Sequence, residues 1–232
     1  EGVDTEAEFN TFKATFSAWV YAGNMDSATF TDQQLRDQLI FDGTDAVLSD
    51  TLPPASADYI PSAADGAWGN TATWSGGKIP DFDDFANVNT HYVTLSSVVS
   101  IGQFATDNGG KLTVNSGGSL TSTAGSNHPR GGTIDVQTGG SVTMDGWMSI
   151  DNAAASNKAY AINVNGGSYN QAGQMYLGSG VVQNSTIAIT VDSGSFQSGF
   201  IQLRASTNST VTLDVNGGTA SVDYLVFVDH SG

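Results

Sequence analysis

Cysteine is absent from the 232 residues, which removes disulfides, thiol nucleophiles and thiolate metal sites but leaves the compartment open. Basic side chains are scarce: 7 face 23 acidic ones, for a formal charge of −16. Such a surface repels nucleic-acid phosphates and anionic membranes, so no nucleic-acid partner is expected. An acidic excess suits a secreted protein in salty or calcium-rich water, where counter-ions screen the self-repulsion, and it also serves plain solubility. No apolar run approaches the length of a membrane span, so none is expected to cross a bilayer. Proline is sparse, at 5, and no collagen-like triplet is present, so the 28 glycines read as turn residues supplying positive φ. Glu1 is not an initiator residue, which implies that a signal peptide, a propeptide or other sequence preceded it.

What the chain has in abundance is one recurring phrase: a strand ending in valine, a polar residue or two, glycine, then a second short strand. It reads Val114-Asn-Ser-Gly-Gly-Ser-Leu120, Val136-Gln-Thr-Gly-Gly-Ser-Val142, Val164-Asn-Gly-Gly-Ser-Tyr169, Val191-Asp-Ser-Gly-Ser-Phe196 and Val215-Asn-Gly-Gly-Thr-Ala220. Self-similarity at a loose period of some 20–50 residues marks a solenoid. With several strands and almost no helix former per period, the predicted fold is all-β: a right-handed parallel β-helix over residues 67–232. A hydrophobic content of 39% suffices, because each strand sends only alternate side chains inward and stacked coils share one core.

Residues 1–48 differ. Thr5 with Glu8 has capping-box spacing, followed by Phe9, Phe12, Phe16, Trp19 and Val20 on one helical face. Thr31 with Gln34 opens a second predicted helix, carrying Leu35, Leu39 and Ile40 and ending near Gly43. The expectation is a helical cap over one end of the solenoid, or an arm that docks on a neighbour. Residues 49–66, with Pro53, Pro54 and Pro61, read as a connector.

Downstream come Trp68, Trp74, Gly76-Gly77, Pro80, Asp81, two strands (Tyr92–Leu95 and Val98–Ile101) and Gly109-Gly-Lys-Leu112. This order resembles the opening of the eight-glycine domain and of autotransporter-type extracellular β-helix proteins, over roughly residues 66–120 and loosely beyond. The resemblance implies a parallel β-helix outside the cell or on its surface; relatives include glycan-handling proteins and surface proteins of unassigned role. Residue by residue, Trp68 and Trp74 are expected to plug the first coil.

The third strand of each late coil aligns through Gly146, Gly173, Gly199 and Asp223. Strand alternation turns Met148, Ile150, Met175, Leu177, Ile201, Leu203, Leu225 and Phe227 inward. Trp147, Tyr176, Phe200 and Tyr224 then point outward, as a flat aromatic strip. Exposed rings in a row mean contact with something: a second copy, another surface protein or, with Asp145, Asp151 and Asp223 as hydroxyl acceptors, a polysaccharide.

Chemistry is harder to find. The basic residues are scattered, and His91, His128 and His230 show no spacing for a metal triad or a nucleophile relay. No catalytic residue is therefore assigned, and the chain is read as a non-enzyme. No cofactor is expected apart from calcium, for which Asp81, Asp83 and Asp84 are the candidate oxygen ligands. Asn184-Ser-Thr and Asn208-Ser-Thr match the glycosylation sequon, a match that composition alone would produce. The strand Tyr224–Val228 ends the repeats without a cap, which leaves an apolar coil open to pairing. Taken together these features indicate a secreted or cell-surface structural or adhesive protein that assembles or makes surface contact. The alternative is a glycan-binding module, or a fragment of a β-helix polysaccharide lyase or hydrolase.

Overall fold

The computed structural model describes residues 58–123, 126–150, 155–178, 182–205 and 208–229, together with the backbone of 39–41 and 46–48. The chain forms two units, Glu1–Ser56 and Ala57–Gly232. In the first, Leu39–Phe41 pairs antiparallel with Ala46–Leu48, Leu39 opposite Leu48. This corrects the second predicted helix at Leu39–Phe41, which is a strand; its other residues lie outside the described ones. Two apolar triplets flank the four residues Asp42-Gly43-Thr44-Asp45, and a glycine-containing link of that length is a hairpin signal that outweighs a helical periodicity of three residues. The first predicted helix, and the lid as a whole, lie outside the described residues.

The second unit is a parallel β-solenoid of about seven turns. From the coil of Tyr92–Asp107 onward the strands fall into three parallel rows, two of which already begin in the preceding coils. The first ladder runs through Tyr92–Leu95, Lys111–Val114, Gly132–Gln137, the openings of the long strands Ala159–Leu177 and Thr186–Ala205, and Thr210–Val215. The valine phrases are in register there: Leu95, Val114, Val136, Val164, Val191 and Val215 form one column, and all but Val215 are fully buried. Each buried valine contributes about 1.5–3 kcal/mol relative to exposure, so a column of them carries the axis.

The second ladder runs through Val98–Ile101, Ser119–Ser122, Ser141–Met144, the middles of the two long strands and the start of Thr219–Asp229. Its outward columns, Ser119–Ser141–Ser168–Ser195 and Thr121–Thr143–Asn170–Gln197, carry no charge. Inside it, Tyr169 lies against Phe196 with ring centroids 5.6 Å apart and nearly parallel planes.

The third ladder begins with Tyr59–Pro61, Phe85–Asn89 and Gln103–Asp107. The pairing breaks there, with only the parallel bridge between Asp107 and Arg130 across the gap, and the row resumes in a separate sheet with Ser126–Asn127, Trp147–Ile150 and the ends of the long strands to Tyr224–Asp229. The ladder therefore starts inside the stretch read as a connector. Pro61 is tolerated because, among the described residues, its strand pairs on one side only. Trp68 and Trp74 are buried edge to face at 4.7 Å, and the Trp74 Nε1–H donates to the Trp68 carbonyl at 2.7 Å.

Two connections between strands carry structural contacts of their own. Asn127 is buried, and its Oδ1 accepts from the Phe104 N–H at 2.8 Å and the Ser122 hydroxyl at 3.0 Å, tying the coils across the corner. Asn157, Asn184 and Asn208 all sit at positive φ, which asparagine tolerates better than most residues. They form an amide ladder along one corner. Asn184 Nδ2 donates to Asn157 Oδ1, and Asn208 Nδ2 to Asn184 Oδ1, each at 3.1 Å.

Candidate functional site

The chemically distinctive surface is the third ladder, since the second is uniformly uncharged outside and the first is knitted by contacts such as Lys111 with Asp135. On its C-terminal coils the outward column reads Trp147, Gln174, Phe200, Tyr224, with Gln174 opposite Phe200 and Phe200 opposite Tyr224. Tyr176 belongs to the next outward column, Ser149–Tyr176–Gln202–Val226. The four rings therefore zigzag over two columns. Trp147 meets Tyr176 at 6.1 Å with planes at 64°, and Tyr176 meets Phe200 at 5.8 Å and 53°. The Tyr176 hydroxyl is held by the Gln174 side chain. Trp147 is 54% exposed and Tyr224 69%.

This corrects the flat strip. All four residues lie on the ladder's outer side as alternation requires, but two outward positions per strand and the edge-on tilt of the rings make a ridged apolar surface rather than a platform. Asp145 and Asp223 are exposed on these coils, while Asp151 lies outside the described residues. In the final coil the inward positions Leu225 and Phe227 are 41% and 73% exposed, so the ridge runs on into an apolar surface.

The acidic turn is a separate place. Asp81, Asp83 and Asp84 bring carboxylate oxygens within 4.8 Å of one another. Asp84 is fully buried and already engaged: Oδ1 accepts from Lys78 Nζ at 2.9 Å and the Asp58 N–H at 3.1 Å, and Oδ2 from the Asp81 N–H at 2.9 Å. Lys78 also reaches Asp58 at 3.1 Å. Partial burial works against the Lys78 charge. The hydrogen bonds that Lys78 donates to Asp84 and then Asp58 outweigh that and hold its pKa well above the ordinary lysine value. An arriving cation would thus compete with an ammonium already in place. The protein's contribution to a calcium site here would be the oxygens of Asp81 and Asp83.

Burial pushes the Asp81 carboxyl up to about 7, helped by its hydrogen bond with Asp83 and the charge of Asp84, with Lys78 pulling the other way. Its folded pKa exceeds its unfolded one, so the folded chain holds a proton that the unfolded chain releases as pH rises from about 4. The associated stability is complete in acid and is lost as pH rises through 7. Asp81→Asn is therefore expected to raise the melting temperature at pH 8 and leave it unchanged at pH 4. Discounted for solvent screening to about 1 kcal/mol, the gain is about 2–4 °C. Melting curves at the two pH values check this, and an equal shift at both would rule it out.

Of the histidines, Nδ1 of His91 lies 3.1 Å from the Ser62 hydroxyl, and His128 is exposed beside Arg130. His230 lies outside the described residues. The sequon asparagines 184 and 208 are the upper members of the amide ladder. No helix among the described residues is long and apolar enough to cross a membrane. No family model, curated protein or solved structure matches the chain, so the site is read from its own geometry.

Proposed function

We propose that this chain is a structural or adhesive β-solenoid of the cell surface or its surroundings, acting by contact through the aromatic ridge and not by catalysis. The observation that carries the reading is the run Trp147–Tyr176–Phe200–Tyr224, which spans about 14 Å along the axis at about 4.8 Å per coil and is presented by rigid parallel strands. Rings at 53–64° to one another interdigitate with another side-chain surface. Stacking along a flat sugar chain calls for near-coplanar rings, so the ridge favours a protein partner, and a second copy meets the requirement with the same ridge.

A net charge of −16 opposes self-association at low ionic strength, and salt screens that repulsion. Association is therefore expected to strengthen from low to physiological salt, as read by size-exclusion chromatography with light scattering over a concentration series. Replacing Trp147 and Tyr224 together with alanine should abolish it. Both rings are largely exposed, so the melting temperature should move little. A wild-type monomer at every concentration and salt, or assembly that the double variant leaves unchanged, would sink the reading.

A further inference from the structure

The other half of the third ladder carries a concavity of about 480 Å³, within the range of small-molecule sites, about 300–1,000 Å³. Its wall comes from four coils. Tyr59 and Phe85 are direct partners in the ladder, with rings edge to face at 5.2 Å. Asn87, 2% exposed, donates through Nδ2 to the Tyr59 hydroxyl at 2.8 Å and to Asp107 Oδ2 at 2.9 Å. These two bonds fix the amide's orientation and leave its buried Oδ1 with no donor. A buried carbonyl without a donor is costly, and a ligand group is one way to satisfy it. Asp107 Oδ1 accepts from the Arg130 backbone N–H at 2.8 Å. That bond pins the loop whose side chains, His128 and Arg130, close the rim. Arg130 is exposed, and its guanidinium makes no ion pair among the described residues.

Charge narrows the ligand. Asp107 and the −16 of the whole chain oppose an anion, whereas Arg130 opposes a cation. What remains is a neutral molecule with several hydroxyl donors, a few oxygen acceptors and an apolar face. We propose that this concavity binds a pyranose unit of a neutral saccharide. The C–H face of the sugar packs on Tyr59 and Phe85, its hydroxyls donate to Asn87 Oδ1 and Asp107, and a hydroxyl or ring oxygen accepts from Arg130. The site shares no residue with the aromatic ridge, so it stands or falls separately from the contact function.

The test is titration calorimetry, with saturation-transfer NMR, of the whole chain against neutral tetrasaccharides of glucose, mannose and galactose. Tetragalacturonate serves as the anionic probe and putrescine as the cationic one. At least one neutral tetrasaccharide is expected to bind. Tyr59→Ala and Arg130→Gln should each weaken it about tenfold, equivalent to about 1.4 kcal/mol, while Trp147→Ala leaves it unchanged. Arg130→Gln keeps the backbone N–H that holds Asp107, so it tests the side chain even if Tyr59→Ala disturbs folding. Binding of tetragalacturonate or putrescine alone, binding of none, or neutral binding indifferent to Arg130→Gln would each overturn the proposal.

Discussion

Tyr169→Ala is expected to destabilise the solenoid by about 3–5 kcal/mol for the lost ring and the cavity left behind, and by about 1 kcal/mol more for the lost hydroxyl contact. The ring is 1% exposed, sits between Val142 and Phe196 in the inward column of the second ladder, and stacks on Phe196. Neighbouring coils cannot collapse into the gap without breaking parallel register, so little of the cost is recovered by relaxation. Its hydroxyl lies 3.3 Å from Gln171 Oε1, and the same glutamine's Nε2 donates to the Gly146 carbonyl at 2.5 Å, fastening a turn. Burial, reinforced by Tyr160, pushes the Tyr169 phenol above its usual pKa, in keeping with a dry setting. Tyr169→Phe keeps the ring and isolates the hydroxyl, so it should cost only about 1 kcal/mol. Guanidinium unfolding of both variants checks the pair; a Tyr169→Ala midpoint close to that of Tyr169→Phe would show that the stacked ring is not what the core depends on.

Gly194→Ala should be comparably damaging for a different reason. Gly194 has φ +86°, where a Cβ costs about 1–2 kcal/mol, and that Cβ would lie 2.1 Å from the Gly167 carbonyl oxygen of the coil beneath. Backbone cannot move aside as a side chain can, and overpacking adds about 1–3 kcal/mol. Two other glycines separate the terms. Gly109, at φ +82° with nothing within 4 Å, should show the conformational cost alone, and Gly69, unstrained and open, should show neither. The expected order of melting temperatures is Gly69→Ala highest, then Gly109→Ala, then Gly194→Ala. Equal losses at Gly109 and Gly194 would mean that coil-to-coil crowding is unimportant.

The glycine at 194 also shows what could be read without coordinates. The phrase around it recurs because each coil must turn while another coil's backbone passes within contact distance. Composition and period therefore point to stacked parallel strands, and the valine column follows. The outward positions of Trp147, Tyr176, Phe200 and Tyr224 were legible for the same reason, since alternation depends on the backbone. The tilt of their rings depends on side-chain torsions and was not.

Pro61 misled because proline speaks against a central strand, and the one-sided pairing that tolerates it is a tertiary fact. The four-residue link Asp42-Gly43-Thr44-Asp45 does carry a hairpin signal, while Leu39 and Ile40 also fit a helical face, and only their pairing with Leu48 and Val47 decides between the two. The concavity left no mark in the sequence. Tyr59, Phe85, Asn87, Asp107 and Arg130 are 20 or more residues apart wherever they touch across coils, and they share no motif. A signal emerges only after coils are aligned, when Tyr59 and Phe85 fall opposite one another.

The amides of Asn157, Asn184 and Asn208 hand the same bond from one coil to the next, always donated toward the earlier coil, across separations of 27 and 24 residues. Every member thus offers its successor the acceptor that it itself required. At this corner a coil of either length meets its neighbour through the same amide bond. The corner works like a zip with interchangeable teeth: the grip between neighbours stays the same while the number of residues in each coil changes from 27 to 24.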